Sequence, residues 1–158
     1  MRRKDREITN PDEIREILDR SDACRIGFAV ESVPYIVAMN FGYRWDNRLV
    51  LYFHCAKAGR KLALMERNNR VFFEMDTDHG LLTGKRACDW GMDYRSVTGL
   101  GRLSRIVDDG EKREGLNRIM AHYGSPGPNE YDTRIFDITE VLKLEVEEYT
   151  GKKKQTER

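Results

Sequence analysis

Six segments of the chain are rich in apolar, β-branched and aromatic residues, and their patterns predict β-strands. In residues 23–30, for example, Ile26, Phe28 and Val30 alternate with small or polar residues. The six predicted strands cover residues 23–30, 34–43, 48–54, 70–75, 94–107 and 141–149. Gly99 and Gly101 interrupt the fifth strand, which predicts a bulge or a bend there.

Three other segments carry the spacing and the end signals of helices. The first follows Asn10 and Pro11, the second covers about residues 57–68, and the third follows Asp108. Asparagine and aspartate are favoured N-caps, and proline is favoured at the first helical position. The segment 77–93 is polar and contains glycine, which predicts a long loop.

The order of these elements predicts a mainly β fold with inserted helices. Because strands and helices do not alternate as in a parallel sheet, we expect a six-stranded antiparallel barrel. A chain of 158 residues fits one domain, which we predict for residues 1–150. Residues 151–158 are expected to form a flexible C-terminal tail.

Charge and hydrophobicity exclude several classes of function. The chain has 28 Lys and Arg residues against 27 Asp and Glu residues, so no overall field attracts nucleic acid or an anionic membrane. It has no run of about 18 apolar residues, and its charged start lacks the hydrophobic segment of a signal peptide. We therefore expect a cytoplasmic protein without a membrane or nucleic-acid partner.

The residues that commonly bind metals are scattered along the chain. Cys24, Cys55 and Cys88 are too far apart in sequence for a CxxC metal motif and are expected to be reduced thiols. The segment 76–79 combines two aspartates with His79, but such residues are common in turns. We predict no metal site.

The helix predicted over residues 57–68 has an unusual charge pattern. Its first turns contain Lys57, Arg60 and Lys61 and have no acidic residue before Glu66. Cations at the positive end of a helix dipole are unfavourable, each by about 0.3–1 kcal/mol when exposed. A bound anion would reverse this effect, because free backbone N–H groups and cations would then converge on it. The pattern indicates a phosphate site, and an ordinary solvated basic surface is the alternative.

His54 precedes this basic turn directly, at the end of an aromatic-rich strand. An imidazole at this position would lie beside the anion, where it can donate a proton or orient a ligand. The alternative is a strand-end histidine that only fills space.

The segment LYFHCAKAGRKLALMERNNRVFFEMD, residues 51–76, resembles the flavin-binding core of the pyridoxamine 5′-phosphate oxidase-like split barrels. Within that superfamily the chain is most similar to the nitroimidazole-resistance, or nitroimidazole reductase, group. Four motifs carry this similarity in order: PYIVAMNFGY, HCAKAGRK, FFEMDTDH and CDWGMDYRSVTGLGR. The resemblance covers about residues 1–149.

The resemblance implies a homodimer of six-stranded Greek-key split barrels, with FMN bound at the subunit interface. Arg60 and Lys61, with Lys57 in the same basic turn, would hold the FMN phosphate. Cys55 stands where the family usually has Ser or Thr, and a thiol is a weaker hydrogen-bond donor. His54 would face the flavin and is the candidate catalytic residue.

Two further parts of the cofactor site follow from the resemblance. The strand that runs along the isoalloxazine ring would contain Val37, Ala38, Met39 and Asn40. Trp90 is a candidate wall of the flavin or substrate pocket, and ordinary aromatic packing is the alternative.

The function implied is that of an FMN-dependent oxidoreductase that reduces a small acceptor, such as a nitro-aromatic compound. The chain has no Gly-x-Gly-x-x-Gly fingerprint, so a nicotinamide donor such as NAD(P)H would dock transiently. We find no C-terminal arginine-rich substrate segment, which argues against pyridoxamine phosphate as substrate. The alternatives are a non-catalytic flavin-binding or haem-handling protein and a dimeric interaction module without a cofactor.

Overall fold

The structure of the protein, a computed structural model, describes residues 3–155. Within this range the chain forms eight strands, four α-helices and two short 3-10 turns. The strands are β1 (Glu7–Ile8), β2 (Cys24–Phe28), β3 (Tyr35–Met39), β4 (Phe41–Trp45), β5 (Leu49–Ala56), β6 (Arg70–Leu82), β7 (Gly91–Arg105) and β8 (Thr139–Lys154). The helices are α1 (Pro11–Arg20), α2 (Arg60–Arg67), α3 (Asp109–His122) and α4 (Thr133–Ile138), and the turns are Lys4–Arg6 and Ala87–Asp89.

All eight strands belong to one antiparallel sheet. The order of the strands is β3-β2-β6-β7-β8-β5-β4, and β1 pairs with β8. This arrangement confirms the predicted mainly β, antiparallel fold. Between Leu100 and Gly101 the register of β7 against β8 shifts, which confirms the bulge predicted from the glycines.

The first and last strands of this order, β3 and β4, are joined by the single residue Asn40. Consecutive Cα atoms are about 3.8 Å apart, so the end of β3 and the start of β4 lie within about 8 Å of each other. The sheet must therefore curl until its two edges meet at Asn40. Among residues 3–155 no ladder of hydrogen bonds joins β3 to β4, so the barrel is split along this line.

The interior of the barrel is filled by alternate residues of the strands. Leu51, Phe53, Phe73 and Leu144 are fully buried there. Helix α1 covers one part of this core with its apolar face, and its start is fixed by the Asn10 side chain, which accepts a hydrogen bond from the Asp12 N–H. The helix predicted after Asn10 is confirmed.

Helix α3 packs on the outer side of β4 and β5 over a second, smaller cluster that includes Tyr52 and Ile119. The approach is close at Gly42, where a Cβ atom would lie 2.3 Å from the backbone carbonyl carbon of Arg118. A residue with a side chain would push α3 away from β4. Within residues 3–155 no helix is long and apolar enough to cross a membrane.

Several predicted elements have different bounds in the structure. The single strand predicted over residues 34–43 is wrong, because the chain changes edge at Asn40 and forms β3 and β4 instead. This division and the short β1 account for eight strands rather than six. The loop predicted over residues 77–93 is shorter, because β6 continues to Leu82 and β7 begins at Gly91.

The end of the chain also differs from its prediction. Residues 151–154 were predicted to lie in a flexible tail, but they continue β8 to Lys154. The Lys153 ammonium donates a hydrogen bond to Glu13 of α1, which ties this segment to the body of the protein. Gln155 follows β8 without regular secondary structure, and residues 156–158 of the predicted tail lie outside the described residues. Helix α4 was not predicted.

Candidate functional site

A cavity of about 520 Å³ opens where the ends of β3 and β5, the start of α2 and the helix α4 meet. Seven of the ten residues predicted to bind a cofactor line it: Val37, Ala38, Met39, Asn40, His54, Cys55 and Lys61. The lining is completed by Ala56, Ile135, Ile138 and Thr139. The fold thus brings together residues that are far apart in the sequence.

The opening arises from the unequal lengths of β4 and β5. Strand β4 begins at Phe41, which pairs with Phe53 of β5. The last residues of β5, beginning with His54, therefore extend beyond the start of β4. In the described sheet they pair with β8 on one side and have no partner strand on the other. Asn40 and the end of β3 border the space that β4 leaves open. The split in the barrel and the cavity are the same structural feature.

Helix α2 presents its positive end at this site. Gly59 stands at the N-cap position with φ of 147°, a conformation that favours glycine. Within residues 3–155 no side chain caps the first turn of α2, and that turn contains no acidic residue. The first N–H groups of a helix have no partner inside the helix. The predicted uncompensated basic helix start is therefore present.

The three cations of this turn have different positions. Lys61 lines the cavity and is partly buried. The Arg60 guanidinium carbon lies 4.7 Å from the ring centroid of Tyr35 in β3, so Arg60 stacks on that ring beside the cavity. Lys57 is exposed in the turn before α2. Of the predicted phosphate ligands, the structure brings Lys61 into the cavity and leaves Arg60 and Lys57 outside its lining.

The two side chains at the end of β5 are shifted toward their neutral forms. The surrounding atoms desolvate the His54 imidazole and lower its pKa below the ordinary value of 6.5, and the charge of Lys61 lowers the pKa further. Burial raises the pKa of the Cys55 thiol. A neutral imidazole can donate one hydrogen bond and accept another, whereas a protonated thiol is a weak donor. The cavity therefore offers polar groups with little charge beside one ammonium group.

Trp90 lies away from this cavity. It follows the 3-10 turn Ala87–Asp89 in the connection between β6 and β7, and its indole N–H donates a 2.9 Å hydrogen bond to the Gly84 carbonyl oxygen. The ring is largely exposed. The structure thus does not bring Trp90 to the predicted site within its own chain.

Ile135, Ile138 and Thr139 line the cavity, although no cofactor contact was predicted for them. The two isoleucines belong to α4, which has six residues and is too short for a clear helical period. The available signal was Asp132, whose carboxylate accepts hydrogen bonds from two backbone N–H groups of α4. An aspartate before a short apolar segment is an N-cap signal that could have identified this helix.

The segment 76–79 is engaged in ion pairs. The His79 imidazole lies 2.6 Å from the Asp76 carboxylate, and Arg25 also contacts Asp76. Asp78 pairs with Arg20 and with the buried Arg95. Among the described residues, no group of three or more His, Cys, Asp or Glu side chains is placed so that it could hold a metal ion. These contacts connect β2, β6, β7 and α1.

Comparison with known proteins identifies the family. The pyridoxamine 5′-phosphate oxidase family model matches residues 10–153, which is most of the chain. No curated protein sequence matches. Among solved structures, a candidate 5-nitroimidazole antibiotic resistance protein from Bacteroides thetaiotaomicron is 33% identical, with a TM-score of 0.80 over 92% of this chain and 85% of that one.

Two more distant structures have the same fold. The flavocytochrome Anf3 from Azotobacter vinelandii is 22% identical, with a TM-score of 0.82 over 99% of this chain and 72% of that one. An FAD- and haem-binding protein from Mycobacterium smegmatis is 17% identical, with a TM-score of 0.80 over 96% of this chain and 74% of that one.

The resemblance inferred from the four sequence motifs is confirmed by these matches, including the similarity to the nitroimidazole-resistance group. By the extent of the family match and by its fold, the chain belongs to the pyridoxamine 5′-phosphate oxidase family of split-barrel proteins.

Proposed function

We propose that the cavity between β3, β5, α2 and α4 binds FMN and that the protein is an FMN-dependent oxidoreductase for a small acceptor. One observation carries this proposal: the basic, uncapped start of α2 and the unpaired edge of β3 border the same cavity. FMN has a phosphate at one end and a planar ring with polar edges at the other. Each part matches a different wall of the cavity.

The start of α2 suits the phosphate. Free backbone N–H groups, the helix dipole and the Lys61 ammonium can converge on an anion there. Arg60 stacks on Tyr35 outside the cavity lining, and we expect it to turn to the same anion by a change of side-chain rotamer when FMN binds. Burial keeps the Cys55 thiol protonated, and because a thiol is a weak hydrogen-bond donor, Cys55 contributes little to phosphate binding.

Strand β3 suits the ring. In the described sheet β3 pairs only with β2, so alternate backbone N–H and C=O groups of β3 point away from the sheet. Val37 to Asn40 bring these groups to the cavity. Backbone groups can hydrogen bond to the polar edge of an isoalloxazine ring without any titratable side chain.

Bound FMN would supply two-electron redox chemistry, which could carry electrons from a reduced nicotinamide to a small acceptor such as a nitro compound. The chain's residues would hold the ring and limit access to it. His54 is mainly neutral at pH 7 because its pKa is lowered. A neutral imidazole is better suited to orient a ligand by hydrogen bonding than to act as a strong acid.

Haem or FAD handling is the second candidate. The M. smegmatis protein with this fold binds FAD and haem, and the A. vinelandii protein is a flavocytochrome. The neutral His54 imidazole in the cavity is the observation that favours haem, because neutral imidazole is a common iron ligand.

A homodimer is also part of the proposal. Ile36 is 63% exposed and Phe72 is 51% exposed on the outer surface of β3, β2 and β6, where they line an apolar depression of about 460 Å³. Large exposed apolar patches are typical of interaction surfaces. Because β3 borders both this surface and the FMN cavity, a second copy bound here would lie next to the cofactor.

Replacing both cations at the start of α2 is expected to abolish FMN binding without unfolding the protein. In Arg60→Ala with Lys61→Ala, FMN affinity should fall by roughly 100-fold or more, because each charge-assisted hydrogen bond contributes about 1.5–3 kcal/mol. Fluorescence titration with FMN measures the affinity, and thermal melting measures stability. Arg67→Ala, at the other end of α2, is the control and should bind FMN normally. Undiminished FMN binding by the double variant would exclude the phosphate site.

The pKa of His54 is expected to lie below 6.5 in the FMN-free protein and to rise in Lys61→Gln. The variant removes a positive charge that disfavours the imidazolium form. An NMR titration of the imidazole C–H resonance measures both values, and Lys57→Gln serves as the control. Protonation of His54 is less favourable in the folded protein than in the unfolded chain. The free energy of unfolding should therefore decrease as the pH falls, first through the pKa of His54 in the unfolded chain and then through its pKa in the folded protein. A pKa of 6.5 or higher in the wild type would contradict this account.

Charges on the apolar surface are expected to separate the dimer. Ile36→Glu with Phe72→Glu should give a monomer with weakened FMN binding, because burying two unpaired carboxylates in an interface is costly. Size-exclusion chromatography with light scattering determines the mass. Val107→Glu, at a site that is 90% exposed between β7 and α3, is the matched control. A variant that remains a dimer would place the interface elsewhere.

A further inference from the structure

Two isoleucines of α4 are exposed inside the cavity, and the proposed FMN contacts do not use them. Ile135 is 59% exposed and Ile138 is 62% exposed, and both line the cavity. They are three positions apart in a helix, so they lie on the same face. Together they form an apolar wall, which we call the α4 wall.

The other side of α4 is firmly attached to the protein. Phe136 is buried, and the Lys112 ammonium of α3 donates a hydrogen bond to the Phe136 carbonyl oxygen. The same ammonium lies 4.1 Å from the Phe136 ring centroid, and the Arg113 guanidinium carbon lies 4.9 Å from it. These contacts fix α4 against α3, so the α4 wall keeps its position beside the cavity.

Side chains also form hydrogen bonds with backbone groups at both ends of α4. The Asp132 carboxylate accepts hydrogen bonds from the Arg134 and Ile135 N–H groups, and the Thr139 hydroxyl donates one to the Ile135 carbonyl oxygen. The helix therefore has its own caps and its own buried anchor. The exposure of its two isoleucines is consequently a property of an ordered element rather than of a loose segment.

The charges around the cavity restrict what can lie against the α4 wall. None of the described residues that line the cavity carries a carboxylate, and Lys61 is the single lysine or arginine among them. The FMN phosphate would use Lys61. A second anionic group would then have no cation in the lining to pair with, and its desolvation would be unfavourable. An uncharged apolar ring would gain contact with both isoleucines.

We propose that Ile135 and Ile138 form the subsite for the electron acceptor and that they select an uncharged, planar aromatic ring over an anionic one. This inference rests on the proposed FMN site, and it assigns the α4 wall to the acceptor. Lys112 holds α4 through Phe136 and does not itself line the cavity.

The test uses a double variant that combines Ile135→Ser and Ile138→Ser. This variant and the wild type are compared, both loaded with FMN. Calorimetric titration measures binding of nitrobenzene, which is neutral, and of 4-nitrobenzoate, which is anionic. The wild type should bind nitrobenzene at least about 10-fold more tightly than 4-nitrobenzoate. The double variant should lose roughly 10-fold in nitrobenzene affinity, because small changes in apolar contact alter binding in a pocket by about this amount. Val107→Ser is the control for loss of an exposed apolar side chain and should bind as the wild type does.

Three results would overturn the inference while leaving the FMN site intact. The first is unchanged nitrobenzene affinity in the double variant. The second is a weaker FMN affinity in that variant, measured by flavin fluorescence, which would mean that the isoleucines contact the flavin. The third is dissociation into monomers, which would mean that a second copy covers the α4 wall. Failure of the wild type to bind FMN would overturn the proposed function as well.

Discussion

The one-residue link at Asn40 is the constraint on which the rest of the structure depends. It connects strands at opposite edges of the sheet order, and a trans peptide spans only about 3.8 Å between Cα atoms. The sheet has to curl to satisfy this link, and the curled sheet encloses the buried core. The two edges meet at Asn40 without a ladder of hydrogen bonds, so the ends of β3 and β5 face a gap in the sheet. The cavity is a direct consequence of this incomplete closure.

Two features of opposite character border the cavity. Helix α2 brings an uncapped positive end and Lys61, which favour an anion. Helix α4 brings two exposed isoleucines, which favour an apolar ligand. A cofactor with a phosphate and a planar ring can bind at the start of α2 and leave the isoleucines of α4 free to contact another molecule. The lowered pKa of His54 and the raised pKa of Cys55 keep the remaining side chains at the end of β5 neutral.

Much of this arrangement could be predicted from the sequence, because it follows from local signals. The alternation in β2 and β8, the Asn10 and Asp108 caps and the acid-free start of α2 each depend on neighbouring residues. The bend at Asn40 could not be predicted in this way, because the mostly apolar segment 34–43 has the composition of a single strand and the change of edge is set by the closure of the whole sheet. The resemblance assigned the FMN phosphate to Arg60 and Lys61, with Lys57 in the same turn. Of these three residues only Lys61 lines the cavity, because Arg60 stacks on Tyr35 and Lys57 is exposed in the turn. Helix α4 was missed because six residues are too few for a clear helical period, and because the contact that fixes it joins Phe136 to Lys112, which is distant in sequence.

The central claim is that this cavity holds FMN. Its most direct test is an absorption spectrum of the purified protein, together with mass identification of the ligand that denaturation releases. We predict flavin absorption and close to one FMN per chain. A Soret band with released haem, or a colourless protein that does not bind added FMN, would contradict the claim.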